Sequence, residues 1–381
     1  MTRRFPWSGA EWYTDECGVH PNATSARTWR VRGGAGKPQH TQHHMTASAS
    51  TAEENLEVAW RSALTREEVR NLLEPADVWS WLSIAINWGL VFAAFALVAA
   101  WPNPLSILIA LFVIGARQLG FAVLMHEASH RSLFRKRALN DWAGNWLCAY
   151  PIWSDLNPYR PYHLKHHAKT GGPEDPDLGL VRPFPITGSS LRRKIWRDLS
   201  GQTGRKFAKG AWARTVGRYR IDPIARRAAQ GVLVTNVVLL AILAAAGHPA
   251  LYLLWVAAWL TTHTLVTRIR SIAEHAMTPA PGDPLGNTRT TLARWWERLL
   301  IAPNRVNYHL EHHLLMTVPH YNLPRMHRLL RERGALAHAC VERGYWRVLQ
   351  RAASRPDDGC STDGEDESRG ISQVNGFFTS P

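Results

Sequence analysis

A stretch without a single charged side chain, from Trp79 to Trp101, sets the first constraint on this chain. As a helix it reaches across ~30 Å of hydrocarbon, and in lipid only a helix or a closed barrel satisfies its backbone polar groups. Trp79, Trp81 and Trp101 sit at its ends, where an amphipathic indole favours the membrane–water boundary. Pro102-Asn103-Pro104 breaks the run, and a second one follows over 105–125. Arg117 and Gln118 interrupt it and must face protein or water rather than lipid. Two further apolar runs, 230–246 and 250–267, flank Gly247-His248-Pro249; the first of these is short for a span. The pattern predicts an all-α integral membrane protein of about four transmembrane helices. Short connectors make two hairpins, with the long middle loop and the C-terminal region on the opposite side.

Net charge is +15 with a pI near 10.2, so nucleic acid is the first partner to weigh. The basic clusters, Arg135-Lys136-Arg137, Arg192-Arg193-Lys194 and Arg226-Arg227, lie in the long loop between apolar runs. Cytoplasmic charge under the positive-inside rule explains them better, and no nucleic acid partner is expected. This places the long loop, the histidine boxes and both termini in the cytoplasm of a multi-pass membrane protein, which for a bacterial chain means the inner or plasma membrane. Residues 1–50 are polar, with no continuous apolar core of a signal peptide, and read as a disordered extension. Met45, before Thr46-Ala47-Ser48-Ala49-Ser50, resembles a true start. Residues 51–78 include an amphipathic stretch, with Leu64, Val69, Leu72 and Leu73 on apolar positions, that suits a membrane surface. Residues 351–381 turn acidic and Gly/Ser-rich, as a disordered tail does, leaving 79–350 as the main domain. The four cysteines show no C-x-x-C spacing, which argues against both a disulfide framework and an iron–sulfur centre.

Histidine carries the chemistry: half of the 18 fall in four short stretches. His126-Glu127-Ala128-Ser129-His130 follows the second apolar run directly. On a helix, residues i and i+4 share a face, so both rings reach one metal. Alone, this H-E-x-x-H pattern is also that of a zinc protease with Glu127 as general base. His163, His166 and His167 recur at i, i+3 and i+4, and His309, His312 and His313 repeat that spacing. His275, just beyond the fourth run, is a ninth candidate. Nine imidazoles exceed the need of one tetrahedral zinc and suit two metal ions with four or five nitrogens each. Imidazole alone does not name the metal. The ligands gather where spans leave the bilayer, which points to a lipid chain as substrate. Its unactivated C–H bonds need an oxygen-derived oxidant that redox-inert zinc cannot generate, so iron leads.

His-Glu-Ala-Ser-His at 126–130, His-Leu-Lys-His-His at 163–167, Arg-Ser-Ile-Ala-Glu-His at 270–275 and Tyr-His-Leu-Glu-His-His at 308–313 resemble the boxes of the membrane fatty acid desaturases, the histidine-box di-iron desaturase/hydroxylase superfamily. Val318-Pro319-His320-Tyr321-Asn322-Leu323-Pro324 is similar to the stretch after that family's last box. The resemblance covers about 75–335. It implies a four-helix stalk under a cytoplasmic helical cap, two iron ions at their junction, and O2-dependent removal of two vicinal hydrogens from an acyl lipid or acyl thioester. One departure is Ser271, where some relatives place an asparagine that holds a metal-bound water. No cytochrome-like segment is present, so electrons come from a separate ferredoxin-like or cytochrome b5-like donor.

Glu127, Glu274, Glu311, Asp175 and Asp177 are candidates to orient the ligands, and Trp153, Asp155 and Asn157 are candidates to shape a channel. His248, His338, His320 and His327 read as structural, and His263 as a contact to a neighbouring helix. Three alternatives stay open. The same boxes serve hydroxylases and ketolases of lipids, alkanes or carotenoids. A zinc protease on His126, Glu127 and His130 would hold one metal. A metal transporter would need ionisable groups along the spans, where only Arg117 and His263 are found.

Overall fold

The computed structural model describes residues 60–215, 219–280 and 282–356; the proposed start at Met45, the first 59 residues and most of the acidic tail lie outside them. Four helical stretches are long and apolar enough to cross a membrane, Asp77–Ala100, Pro104–Ser129, Pro223–Ala245 and Pro249–His275. We label the first three α2, α3 and α9. The fourth is a 3₁₀ turn (Pro249–Leu251) followed by α10 (Tyr252–Leu260) and α11 (Thr262–His275).

Local chemistry sets their starts. Asn103 accepts hydrogen bonds from the backbone N–H of Leu105 and Ser106 at 3.0 and 3.1 Å, and Pro104 at N1 has no N–H to satisfy. The same device, Asp222 capping Ile224 at 2.8 Å with Pro223 at N1, starts α9 ahead of its apolar run. That supplies the length which the run alone lacked. Outward faces of these helices are apolar: Ile86, Leu108, Leu233 and Val237 are all exposed.

Helix α3 is the central post. From Ile114 to Ser129 every residue is buried, packed by α2, α10 and α11. Its two polar interruptions face protein, as lipid avoidance requires. Arg117 donates to the carbonyl of Leu299, and Gln118 donates to that of Trp255 at 2.9 Å. Close approach to α11 depends on Gly115, where a Cβ would meet Thr262 Oγ1 at 2.2 Å and the backbone nitrogen of His263 at 2.8 Å. That hydroxyl donates to the carbonyl of Leu111 at 2.6 Å.

The next elements gather at the end of α3 that carries His126. After α4 (Arg137–Ala143) and a π turn (Gly144–Ala149) comes α5 (Leu156–Lys169). Its first N–H is accepted by Asn145 Oδ1 at 3.0 Å, and Asp155 caps the next turn through the Asn157 N–H. Asp155 and Asn157 are thus occupied in starting this helix, and the Trp153 indole donates to Asn236 at 3.2 Å. Helices α6 (Leu178–Val181), α7 (Gly188–Leu199) and α8 (Gln202–Thr215) fill the rest of the middle segment. Beyond α11 lie α12 (Trp295–Leu300), α13 (His309–Leu314), α14 (Leu323–Glu332) and α15 (Tyr345–Ala352). Among the described residues a two-stranded sheet departs from the all-helical expectation: β1 (Thr290–Leu292) pairs in parallel with β2 (Val341–Arg343), too short to register as alternation.

The amphipathic stretch near residue 64 forms α1 (Arg66–Leu73), started by a capping box between Thr65 and Glu68. Trp60, Leu64 and Leu72 are buried against Leu310, Leu323, Met326 and Leu330. Protein covers these apolar side chains, and Arg333 holds Glu68 through two bonds of 2.6 and 2.7 Å.

Replacing Gly115 with alanine should force α3 and α11 apart and cost about 1–3 kcal/mol. Thermal unfolding of the detergent-solubilised variant would show it as a lowered midpoint, whereas an unchanged midpoint would refute the close approach.

Candidate metal centre

Each histidine box sits where a helix ends, and the ends are capped by side chains. At the C-terminus of α3 the carbonyls of residues 126–129 have no intrahelical partner. Ser129 Oγ donates to His126 O at 2.6 Å and Ser132 Oγ to Glu127 O at 3.0 Å. Asn140 and Arg160 both donate to Ala128 O, at 2.9 and 3.0 Å, and Arg160 Nε reaches Ser129 O at 3.1 Å. Arg160 belongs to α5, so the guanidinium ties the first box to the helix carrying the second. Arg289 does the same for α11. It is 1% exposed and donates to the carbonyls of Ala273, Ala276 and Met277 at 2.9–3.1 Å, fixing the turn that ends at His275. Neither arginine stands out in the sequence, because nothing local marks a guanidinium that will cap a distant helix.

These four helix ends converge. Ring nitrogens of His126, His130, His163, His167 and His312 lie within 4.8 Å of one another, and those of His166, His275, His309 and His313 form a second such group. All nine sequence candidates are brought together. The second and third boxes each contribute to both groups, so the two groups share walls. His263 lies elsewhere, buried in α11 and stacked on Trp259.

Within the first group, Nε2 atoms run His130–His163–His167–His312 at 3.0 Å per step. In the second, His275, His309 and His313 meet at 2.8 and 3.1 Å. Hydrogen bonding alone does not satisfy such a run, because one Nε2 offers either one proton or one lone pair. His126 Nε2 is buried with no hydrogen-bond partner at all. A shared cation would accept these lone pairs. For nitrogens about 2.1 Å from a metal, neighbours at right angles stand about 3.0 Å apart and tetrahedral neighbours about 3.4 Å. Separations of 2.8–3.1 Å are in the range of nitrogens converging on a shared cation, and nine imidazoles exceed the needs of one closed zinc tetrahedron.

Electrostatics favour neutral, ligating imidazoles. Burial, then the neighbouring imidazoles, pushes His130, His163, His167, His312 and His313 well below the ordinary histidine value. His309 follows for the same reasons, with Arg270 adding to the effect. His166 is the exception. Burial works against its charge, but Asp175, accepting from Nδ1 at 2.8 Å, and Asp177, at 3.6 Å, raise it. That bond fixes a proton on Nδ1 and leaves Nε2 free for the second group. Asp175 is itself held by the N–H groups of Gly171 and Asp177 at 2.8 and 2.9 Å. Burial opposes its ionisation, yet the His166 contact and the Asp177 and Gly171 N–H groups together keep it below the usual carboxylate range.

The other candidate carboxylates divide. Glu274 lies 3.5 Å from His309 Nδ1 and accepts from Arg270 at 2.6 Å. Glu127 lies 3.6 Å from His126 Nδ1 and accepts the His320 backbone N–H at 2.9 Å. Glu311 faces away from the cluster, accepting from Thr290 Oγ1 at 2.5 Å and pairing with His327 Nδ1 at 2.6 Å, which anchors the short helix α13. His320 and His327 each hold a carboxylate next to a box histidine, Glu127 and Glu311 respectively. Ser271 stands one turn ahead of His275 on α11.

Fold and centre together define a mostly helical protein with four membrane-length helices and a buried histidine cluster able to bind metal. Residues 102–345, more than half of the chain, match the family model for fatty acid desaturases, and the chain belongs to that family. It is therefore an oxidoreductase, which removes the zinc protease and the transporter. Dihydrorhizobitoxine desaturase of Bradyrhizobium elkanii is 28% identical over 68% of this chain and 76% of its own length. The sn-1 oleoyl-lipid 12-desaturase of Synechocystis is 26% identical over 57% of this chain and 66% of its own. The chloroplastic omega-6 fatty acid desaturase of Brassica napus is 22% identical, covering 69% and 62%.

Replacing His130 or His275 with alanine should each lower the metal content of the purified protein by about half, because each strips one group. Asp175→Asn should weaken metal retention about 10–100-fold against a chelator, and unchanged retention would refute its orienting role.

Proposed function

We propose that this protein is an O2-dependent desaturase whose nine histidines hold two iron ions and which introduces a double bond into an acyl chain. The observation that carries the reading is the division of ring nitrogens into groups of five and four with 2.8–3.1 Å separations, in a chain of the desaturase family. Bound iron would supply activation of O2 for hydrogen abstraction. A balanced reaction takes one CH2–CH2 unit, O2, two electrons and two protons to one CH=CH unit and two waters. The residues present bind, orient and dry the site: caps from Arg160 and Arg289 fix the helix ends, Asp175 and Glu274 orient rings, and the cluster lies buried where hydrogens can be removed without competing water.

We assign the electron supply to a separate ferredoxin-like or cytochrome b5-like donor, which the basic middle loop would steer by charge complementarity. Positive-inside charge supports cytoplasmic histidine boxes and termini, two membrane hairpins, and a helical cap made of the elements around the boxes. The domain limits follow the same reading, with 79–350 as the catalytic body. A second reading of the substrate has its own support, because one relative is named for dihydrorhizobitoxine rather than for an acyl lipid.

Expression in a host lacking the activity, followed by mass spectrometry of lipids and soluble metabolites, tests both. The expected product is an acyl lipid two hydrogens lighter than its precursor. Recovery of hydroxylated lipid alone would move the enzyme to the hydroxylase branch, and loss of two hydrogens from a soluble metabolite with lipids unchanged would replace the acyl substrate.

A further inference from the structure

The threonines around the start of α11 spend their hydroxyls as buried helical threonines do, on a nearby carbonyl. Thr261 Oγ1 donates to Ala257 O at 2.6 Å, Thr262 Oγ1 to Leu111 O at 2.6 Å and Thr264 Oγ1 to Thr261 O at 2.7 Å. Thr267 breaks the pattern: its Oγ1 is buried and has no hydrogen-bond partner. One turn earlier, His263 is 3% exposed, and its Nδ1 is likewise buried and unpartnered. Residues i and i+4 share a helix face, so both atoms lie on one side of α11. Buried polar atoms without a partner are uncommon and costly. Two on one face mark a place where something other than the chain supplies the bond.

That face leads to the metal centre. Ser271 and His275 continue the four-residue spacing, and Thr267, Ser271 and His275 are all partly exposed, while Val266, Arg270, Ile272 and Ala273 beside them are buried. At 1.5 Å per residue, Thr267 stands about 12 Å and His263 about 18 Å along the helix from His275. The far end is aromatic. Trp259 stacks on His263 with centroids 6.5 Å apart, and Trp153 stands against Trp259 at 5.4 Å. Both indole N–H groups are already taken, by Ile152 O and by Asn236 Oδ1. The close approach at Gly115 pins the backbone of this stretch to α3. Free hydrogen-bonding capacity on this face is thus one hydroxyl and one ring nitrogen beside flat apolar rings. Such a pair discriminates: a plain hydrocarbon leaves both groups unpaired, and a chain with an oxygen at that depth pairs them.

We propose that Thr267 and His263 form a polar subsite that recognises an oxygen, hydroxyl or ether, carried by the substrate chain about 12–18 Å from the carbons that react. A substrate hydroxyl satisfies both groups, accepting from Thr267 Oγ1 and donating to His263 Nδ1 when the ring proton sits on Nε2. The assignment rests on the reading of the substrate as a chain that reacts at the histidine centre. It is tested on the purified full chain by displacement of a fluorescent fatty acid. The competitors are stearate and hydroxystearates with the hydroxyl moved one carbon at a time. One hydroxyl position, or two adjacent ones, should bind about 10-fold more tightly than the other isomers. T267V and H263L should each flatten the series relative to stearate on the same variant, and T267S, which keeps the hydroxyl, should retain the preferred position. A flat series with wild-type protein would overturn the proposal, as would a preference that survives both T267V and H263L. So would a stearate-bound structure in which an ordered water bridges the two side chains. Failure of stearate and every isomer to bind would refute the chain-substrate reading and the subsite with it.

Discussion

Nine imidazoles gathered in one place, six of them buried and three partly so, are costly unless something accepts their lone pairs, and the rest of the structure is arranged around that constraint. Neutral rings avoid charge repulsion, but they leave Nε2 atoms about 3 Å apart with too few protons to bond one another. On the proposed reading a pair of cations would resolve both problems. The folded chain gathers these ligand nitrogens at the junction of its helices, and bound metal would supply the missing interaction. Metal and fold would then be coupled, since ligands already gathered in the folded state bind metal without a further cost of assembly.

Holding those rings in place falls to groups that touch no metal. Helix ends are the mobile parts of helices, yet here the ends of α3 and α11 deliver His126, His130 and His275. Arg160 and Arg289 remove the fraying by satisfying the terminal carbonyls. Helix α13, only six residues long, gains its position from Glu311, locked between Thr290 and His327. Each anchoring contact joins segments far apart in the chain, so the centre is assembled by the tertiary fold and not by any one box.

Much of this was legible in the sequence, for particular reasons. The i, i+3, i+4 spacing of histidines is a local property of a helix, so the boxes declared themselves, and so did the membrane-length runs and the inward direction of Arg117 and Gln118. Partition of the ligands was not legible: His166 leaves His163 and His167 for the other group, which depends on how α5 is rotated against α13. The same is true of the carboxylates, since Asp175 and Glu311 look alike in sequence and only the former faces a ligand. The burial of Trp60, Leu64 and Leu72 against α14 was hidden because an amphipathic face shows that something covers it, not what. Strands of three residues are too short to leave a period.

The central claim is the identity and number of the metal ions, from which the oxidative chemistry follows. Elemental analysis of the purified wild-type protein, normalised to chain concentration, tests it most directly. About two irons per chain are expected. One zinc per chain, with no iron after loading, would contradict it.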